Sequence, residues 1–76
     1  MTAGPRIKEY IESKGISQTF LGRRAGIPIG KLNQTLNGNR RFQLDEYERI
    51  CWALEVPADT FLKPHPPEPK EAYQNQ

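Results

Sequence analysis

The strongest structural signal in this chain is the stretch SQTFLGRRAGIPIGKLNQTLNG, residues 17–38. Ser17 can cap a first helix, because its hydroxyl accepts a hydrogen bond from a free amide two or three residues further on. Apolar residues then recur at helical spacing until Gly26, a residue type that adopts the positive φ of a helix end without a Cβ clash. Pro28 suits the first turn of a second helix, which Asn37-Gly38 ends. The stretch therefore predicts two short helices joined at a tight turn.

A further helix precedes this pair. Pro5 and Gly15 bracket it, and its inner face is predicted to hold Ile7, Tyr10 and Ile11, which recur at the three-and-four spacing of one buried stripe. The first half of the chain therefore predicts three helices in succession.

Two more helices are predicted after the pair. One begins near Leu44, with two acidic residues in its first turn, where negative charge suits the helix dipole. Pro57 opens a short last helix over residues 58–62, whose Phe61 and Leu62 can cover the open end of the core. Strand-like alternation and internal repeats are absent, so the expected fold class is all-α with five helices. The inner face of the fourth helix is predicted to comprise Leu44, Tyr47, Ile50, Cys51 and Leu54.

The order and spacing of these signals resemble a known family. The positions Ser17-Gln18, Leu21, Gly26-Ile27, Leu32 and Asn37-Gly38 are similar to those of the Cro/repressor (XRE-type) helix-turn-helix family of phage and bacterial transcription regulators. Residues 42–62 resemble that family's fourth and fifth helices, so the resemblance covers about residues 5–62. It implies a compact lambda-repressor-like domain, with the helix-turn-helix at helices two and three, that binds double-stranded DNA.

The distribution of charge agrees with a polyanionic partner. Residues 1–41 hold eight Lys and Arg against two Glu, a net +6, whereas residues 42–76 hold three basic against seven acidic residues, a net −4. The basic half contains the predicted helix-turn-helix, so DNA would be attracted and oriented on that side. The alternative is that these are ordinary solvated charges on small helices.

Composition excludes several other classes. Cys51 is the only cysteine, so an internal disulfide or a cysteine-based zinc motif is excluded, and the lone His65 adds no metal site. No nucleophile and base can be assembled, so we expect neither an enzyme nor a bound cofactor. An apolar run long enough to span a bilayer and the apolar core of a signal peptide are both missing, which predicts a cytoplasmic protein.

The chain is predicted to divide into a domain, residues 1–63, and a proline-rich tail, residues 64–76. Four prolines between Pro64 and Pro69 prevent a helix, and the last residues have little to bury, which predicts disorder. A solvated terminus and a linker or partner-binding segment in polyproline form are both compatible with this composition.

The resemblance implies which side chains reach the base edges. In that family the N-terminal residues of the second motif helix lie in the major groove. Gln34 can form a bidentate pair with adenine, Lys31 can donate to guanine or to a phosphate, and Ile29 can pack on a thymine methyl. Because Gly30 has no side chain, direct readout is expected to be sparse, and DNA shape or a second subunit is expected to add specificity. The predicted base-reading set is Pro28, Ile29, Gly30, Lys31, Asn33 and Gln34.

Phosphate contacts are expected at both ends of the motif. Gln18 matches a family position that hydrogen-bonds the DNA backbone, and amides at the same helix N-terminus can add to it. The loop after the second motif helix resembles the family's backbone-gripping segment, whereas Arg23 and Arg24 are expected on a solvated face. The predicted phosphate-binding set is Ser17, Gln18, Asn37, Gly38, Asn39, Arg40 and Arg41.

Three other residues have structural interpretations. Cys51 is expected to be a small core residue, and Gly22 to permit a close helix crossing. Trp52 lies beside the inner stripe of its helix, so it is either a partly buried flank residue, which the tail can cover, or an exposed contact for a second subunit or partner.

These observations predict a sequence-specific transcriptional regulator of phage or bacterial type, with repression as its expected action. A single domain of this size buries little surface on DNA, so a homodimer on a two-fold operator is expected. The alternative is an antitoxin or anti-repressor that keeps the fold and holds a protein partner through surfaces such as Trp52.

Overall fold

Four helices make up the part of the chain that the computed structural model describes, residues 3–62. They are α1 (Ala3–Lys14), α2 (Gln18–Ala25), α3 (Ile29–Leu36) and α4 (Leu44–Leu54). No strand occurs within these residues, which agrees with the predicted all-α class. The predicted boundary at residue 63, the tail and His65 lie outside the described residues. None of the four helices is long and apolar enough to cross a membrane.

The local signals around α2 act as predicted. Ser17 accepts a hydrogen bond from the Phe20 amide at 3.0 Å and caps the helix. Gly26 follows the last helical residue with φ +72°, and the Ile27 amide then bonds back to the Gly22 carbonyl at 2.9 Å. These bonds satisfy orphan groups at both ends of an eight-residue helix that is too short to be stable alone. Pro28 is the residue before α3.

The predicted fifth helix is wrong. Residues 58–61 form turns, in which amides bond to carbonyls only three residues back, as Thr60 does to Pro57 at 3.1 Å. The Thr60 hydroxyl also donates to the Pro57 carbonyl at 2.7 Å, a local bond that competes with helical pairing. Phe61 still covers the core as predicted, being 4% exposed, whereas Leu62 is 42% exposed.

The core lies between α1, α2, α3 and α4 and is closed by Phe61. Six side chains are fully buried, and these are Ile7, Ile11, Leu21, Leu32, Leu36 and Ile50. On α4 the prediction was right for Tyr47, Ile50 and Cys51, which are buried, and Leu54 is partly buried.

The placement of Leu44 on the inner face of α4 is wrong, because its side chain is 73% exposed. It lines an open groove together with Ala58 and Leu62. The turns after Pro57 do not close this groove. The buried stripe of α4 begins instead at Glu46, a charged residue that was not expected in the core.

Two glycines permit close approaches between backbones. A Cβ at Gly22 would stand 2.9 Å from the Ile27 carbonyl oxygen, so the close approach predicted there is made to the turn between α2 and α3 rather than to the backbone of a crossing helix. A Cβ at Gly4 would stand 2.2 Å from the carbonyl oxygen of Thr35, so the first turn of α1 packs directly on the end of α3. Nothing local in the sequence indicates this second contact, which helps to fix α1 beside the helix-turn-helix.

Candidate nucleic-acid interface

One face of α3 is buried and the other is open to solvent. Leu32, Thr35 and Leu36 pack inward, where Leu32 and Leu36 are fully buried. The six predicted base-reading residues are all exposed, and these are Pro28, Ile29, Gly30, Lys31, Asn33 and Gln34. The amphipathic pattern of α3 therefore brings these six residues together on its outward side and at its N-terminal end.

The loop after α3 folds back onto the end of that helix. Gly38, at φ +81°, allows the reversal, and the Asn39 amide donates to the Gln34 carbonyl at 2.9 Å. Asn37, Gly38, Asn39 and Arg41 are exposed. We define the candidate interface as Gln18, the outward face of α3 and the loop 37–41.

Side-chain hydrogen bonds connect the parts of this interface. Asn33 donates from Nδ2 to Gln18 Oε1 at 3.2 Å, which joins α3 to the start of α2. Asn37 donates to Asn33 Oδ1 at 3.2 Å and accepts from Lys8 Nζ at 2.8 Å. Lys8 was absent from the predicted site. Sequence reasoning counted it only within the basic half, because nothing local relates a residue of α1 to the end of α3.

Arg40 is half-buried and paired within the protein, unlike the other loop residues that were predicted to bind phosphate. Its guanidinium binds both carboxylate oxygens of Glu46, at 2.9 and 3.1 Å, and donates to Thr35 Oγ1 at 2.9 Å. The side chains of Arg40 and Glu46 are only 21% and 12% exposed. This bidentate pair ties the loop to α4, so the charge of Arg40 is already matched inside the protein.

The electrostatics of this pair follow from its geometry. The hydrogen bonds from Arg40 lower the pKa of Glu46, against the effect of burial, which raises it. The same hydrogen bonds raise the pKa of Arg40. Arg41, next in the chain, makes no side-chain hydrogen bond or ion pair within residues 3–62. Of the two loop arginines, Arg41 is therefore the one with its charge available.

Arg23 and Arg24 are both exposed, as predicted, but Arg24 also makes contacts within the protein. Arg24 Nε donates to the Ala53 carbonyl at 2.9 Å, and Nη2 pairs with Glu55 at 3.2 Å. The guanidinium also lies 5.1 Å from the centre of the Trp52 ring. Arg24 therefore satisfies a carbonyl at the C-terminus of α4, where a cation is favourable.

Trp52 is 64% exposed, which rules out the largely buried flank position among residues 3–62, whereas its contact with a second subunit or partner stays a prediction. The predicted cover by the tail lies outside these residues. The Arg24 guanidinium lies over the ring in a cation–π contact. A large exposed aromatic held in this way is a candidate contact for another protein.

The described residues contain no group of three or more His, Cys, Asp or Glu side chains arranged to hold a metal ion. Cys51 is buried as predicted, and burial raises the pKa of its thiol. Its neighbour Tyr47 donates a short hydrogen bond to the Ala58 carbonyl and accepts one from the Phe61 amide at 3.4 Å. These contacts hold the turns at 57–62 against α4.

Comparison with known proteins agrees with this geometry. The family model described as a Cro/C1-type HTH DNA-binding domain matches residues 6–67, which is most of the chain. No curated protein and no solved structure matches this sequence significantly. The match includes all four helices from Arg6 of α1 onward and the whole candidate interface. The chain therefore belongs to the Cro/C1-type helix-turn-helix DNA-binding domain family.

Proposed function

We propose that this protein is a sequence-specific repressor of transcription that places α3 in the major groove of duplex DNA as a homodimer. The observation that carries the proposal is the outward face of α3, which is solvent-exposed from Ile29 to Gln34 except at Leu32. A helix of this kind, preceded by a capped helix and a tight turn, is the element that enters the groove in helix-turn-helix proteins.

Base discrimination in this proposal depends on few side chains. Gln34 is exposed, and its amide can form the bidentate pair with adenine. Lys31 is exposed one turn earlier and can donate to guanine acceptors. Ile29, 48% exposed, can contact a thymine methyl, whereas Gly30 and Pro28 offer only close approach. The remaining specificity would come from the shape of the DNA and from the spacing of two half-sites.

Phosphate contacts would flank the reading helix. Ser17 and Gln18 lie at the N-terminus of α2, where free amides and the helix dipole favour an anion. On the other side, Asn37, Gly38 and Asn39 are exposed, and Arg41 can neutralise a phosphate. We assign Arg40 to the support of this loop, since its guanidinium is held by Glu46.

Homodimer formation is proposed from the size of the domain. One module of about 60 residues buries a small area on DNA, and two modules on a two-fold site multiply the contacts. A groove whose lining includes Phe42, Leu44 and Leu62 is available near α4.

The second candidate function is a protein-interaction module of the antitoxin or anti-repressor kind. The exposed Trp52 ring favours it, because a large exposed aromatic is typical of binding hot spots. The absence of a side chain at Gly30, in the middle of the reading surface, favours it as well.

Binding to random duplex DNA over a range of salt concentrations separates the two candidates. The DNA-binding proposal expects retention at low salt, with a slope of log affinity against log salt of about −0.9 for each phosphate neutralised. No retention at low salt would refute it. Selection of bound sequences from a random duplex pool, with protein size measured on and off DNA, then identifies the operator and its symmetry.

The substitution Gln34→Ala tests the base-reading assignment. Loss of one bidentate contact should weaken binding to the selected operator by about 1–3 kcal/mol and leave binding to random DNA nearly unchanged. The matched control is Arg41→Ala, which should weaken binding to both kinds of DNA. Equal weakening on both by Gln34→Ala would show that Gln34 contacts the backbone instead.

A further inference from the structure

A continuous chain of side-chain hydrogen bonds crosses the candidate interface. Lys8 Nζ donates to Asn37 Oδ1 at 2.8 Å, and Asn37 Nδ2 donates to Asn33 Oδ1 at 3.2 Å. Asn33 Nδ2 then donates to Gln18 Oε1 at 3.2 Å. The chain starts on α1, passes along α3 and ends on the first residue of α2. All four side chains are exposed or half-buried, so they belong to the surface that meets a ligand.

The first member sets the direction of every bond in this chain. An ammonium group can only donate, so Asn37 must turn its oxygen toward Lys8 and its NH₂ group away. That NH₂ group requires the oxygen of Asn33, which leaves the Asn33 NH₂ group to donate to the oxygen of Gln18. Three amides that can each bind in two orientations are therefore held in one.

The last amide of the chain ends with its donor group available. Gln18 uses Oε1 to accept from Asn33, and its Nε2 makes no hydrogen bond within residues 3–62. A phosphate oxygen can only accept, so a glutamine with its NH₂ group outward binds it and one with its oxygen outward repels it.

We propose that Lys8, Asn37 and Asn33 are positioning residues that hold Gln18 as a hydrogen-bond donor to a DNA phosphate at the start of α2. This inference rests on the proposed DNA-binding function. It also assigns Asn33 mainly to Gln18 rather than to a base, because its oxygen and one amide hydrogen are already bonded. Direct discrimination then falls to Gln34 and Lys31.

The orientation of the three side-chain amides can be tested on the full chain without DNA. In ¹H–¹⁵N spectra, Lys8→Met should shift the side-chain NH₂ signals of Asn37 and Asn33. It should also shift that of Gln18, which is three hydrogen bonds away from Lys8. The control signal is the NH₂ group of Gln34, which takes no part in the chain. Movement confined to Asn37 would overturn the proposal, because the orientation would then not be transmitted.

The effect on DNA is tested with Asn33→Asp. The carboxylate still accepts from Asn37 but cannot donate to Gln18, so Gln18 turns its NH₂ group inward and presents its oxygen to the phosphate. The matched control is Gln34→Glu, which makes the same change of charge one residue further on. We expect Asn33→Asp to weaken binding to random duplex DNA about tenfold more than Gln34→Glu, the factor of one charge-assisted hydrogen bond.

Repeating both substitutions in a Gln18→Ala background completes the test. The additional tenfold factor should vanish there, because the coupling passes through the Gln18 amide. Equal weakening by Asn33→Asp and Gln34→Glu in the original background, or the same additional factor in both backgrounds, would overturn the proposal. If the unaltered protein fails to bind random DNA at low salt, the proposed function itself fails, and the spectra still decide whether Lys8 orients the amides.

Discussion

The contact between Gly4 and the end of α3 gives a quantitative prediction about stability. In Gly4→Ala the new methyl carbon would lie 2.2 Å from the carbonyl oxygen of Thr35 and 3.3 Å from the Leu36 Cα. This is roughly 1 Å inside van der Waals contact. The oxygen belongs to a helical backbone and cannot rotate away, so either the first turn of α1 moves outward or α3 shifts.

The expected loss follows from two opposing effects. Overpacking of this kind costs about 1–3 kcal/mol, and the higher helix propensity of alanine offsets up to about 1 kcal/mol of it. We expect a net loss of about 1–2 kcal/mol in the free energy of unfolding. In a domain of this size each kcal/mol lowers Tm by about 4–8 °C, so Tm should fall by roughly 10 °C.

Two matched glycine-to-alanine substitutions serve as controls for the stability change in Gly4→Ala. A Cβ at Gly30 has no neighbour within 4 Å, so Gly30→Ala should raise stability by up to about 1 kcal/mol. A Cβ at Gly22 stands 2.9 Å from the Ile27 oxygen, so Gly22→Ala should fall between the other two. Thermal and urea unfolding followed by circular dichroism measure all three. A Gly4→Ala protein as stable as Gly30→Ala would show that α1 does not pack on α3 as described.

Three further predictions concern the ionisable side chains. Glu46→Gln should lower Tm near neutral pH, and the difference from the unaltered protein should shrink on acidification. The pKa of Glu46 is lowered by Arg40, so its stabilisation is present above the ordinary pKa and is lost as pH falls through the lowered one. Arg41→Ala should reduce the slope of log affinity against log salt on random DNA by about 0.9 without changing Tm. Arg40→Ala should instead lower Tm, because it breaks the pair with Glu46. A Tm unchanged by Arg40→Ala would contradict the assignment of Arg40 to the support of the loop 37–41. Burial raises the pKa of Tyr47 to about 12. The neutral Tyr47 therefore stabilises the fold below about pH 10, and this contribution is lost as pH rises toward about 12. Tyr47→Phe should consequently be less stable at neutral pH and lose less stability over the alkaline range, as thermal unfolding at several pH values would show.

Local signals were sufficient to predict the helix-turn-helix. The Ser17 cap, the left-handed Gly26 and the reversal at Gly38 each act through bonds to residues a few positions away. The outward face of α3 was also predictable, because the three-and-four spacing of apolar residues decides which side of a helix is buried. The exposure of the candidate base-reading residues therefore follows from the sequence pattern, whereas their role was implied by the family resemblance and stays a prediction.

Local sequence signals gave wrong predictions where the same pattern fits two different structures. Residues 58–62 have an apolar pattern that fits a helix turn, but the amides after Pro57 bond to carbonyls three residues back and close four-residue turns instead. Leu44 has the spacing of a core residue, but the groove beside it stays open. In both cases the outcome depends on packing between segments and not on periodicity.

The sequence alone determined the order of the helices, the capped turn between α2 and α3, the outward face of α3 and the concentration of positive charge in the first half of the chain. Only the tertiary structure decided how those charges are used. Arg40 and Arg41 are adjacent and identical in type, yet one is held by Glu46 on α4 and the other is exposed. Lys8 meets Asn37 only because α1 packs on α3 through Gly4. The physical reason is that charge partners and hydrogen-bond directions depend on distances between distant segments, which the packing of the helices sets.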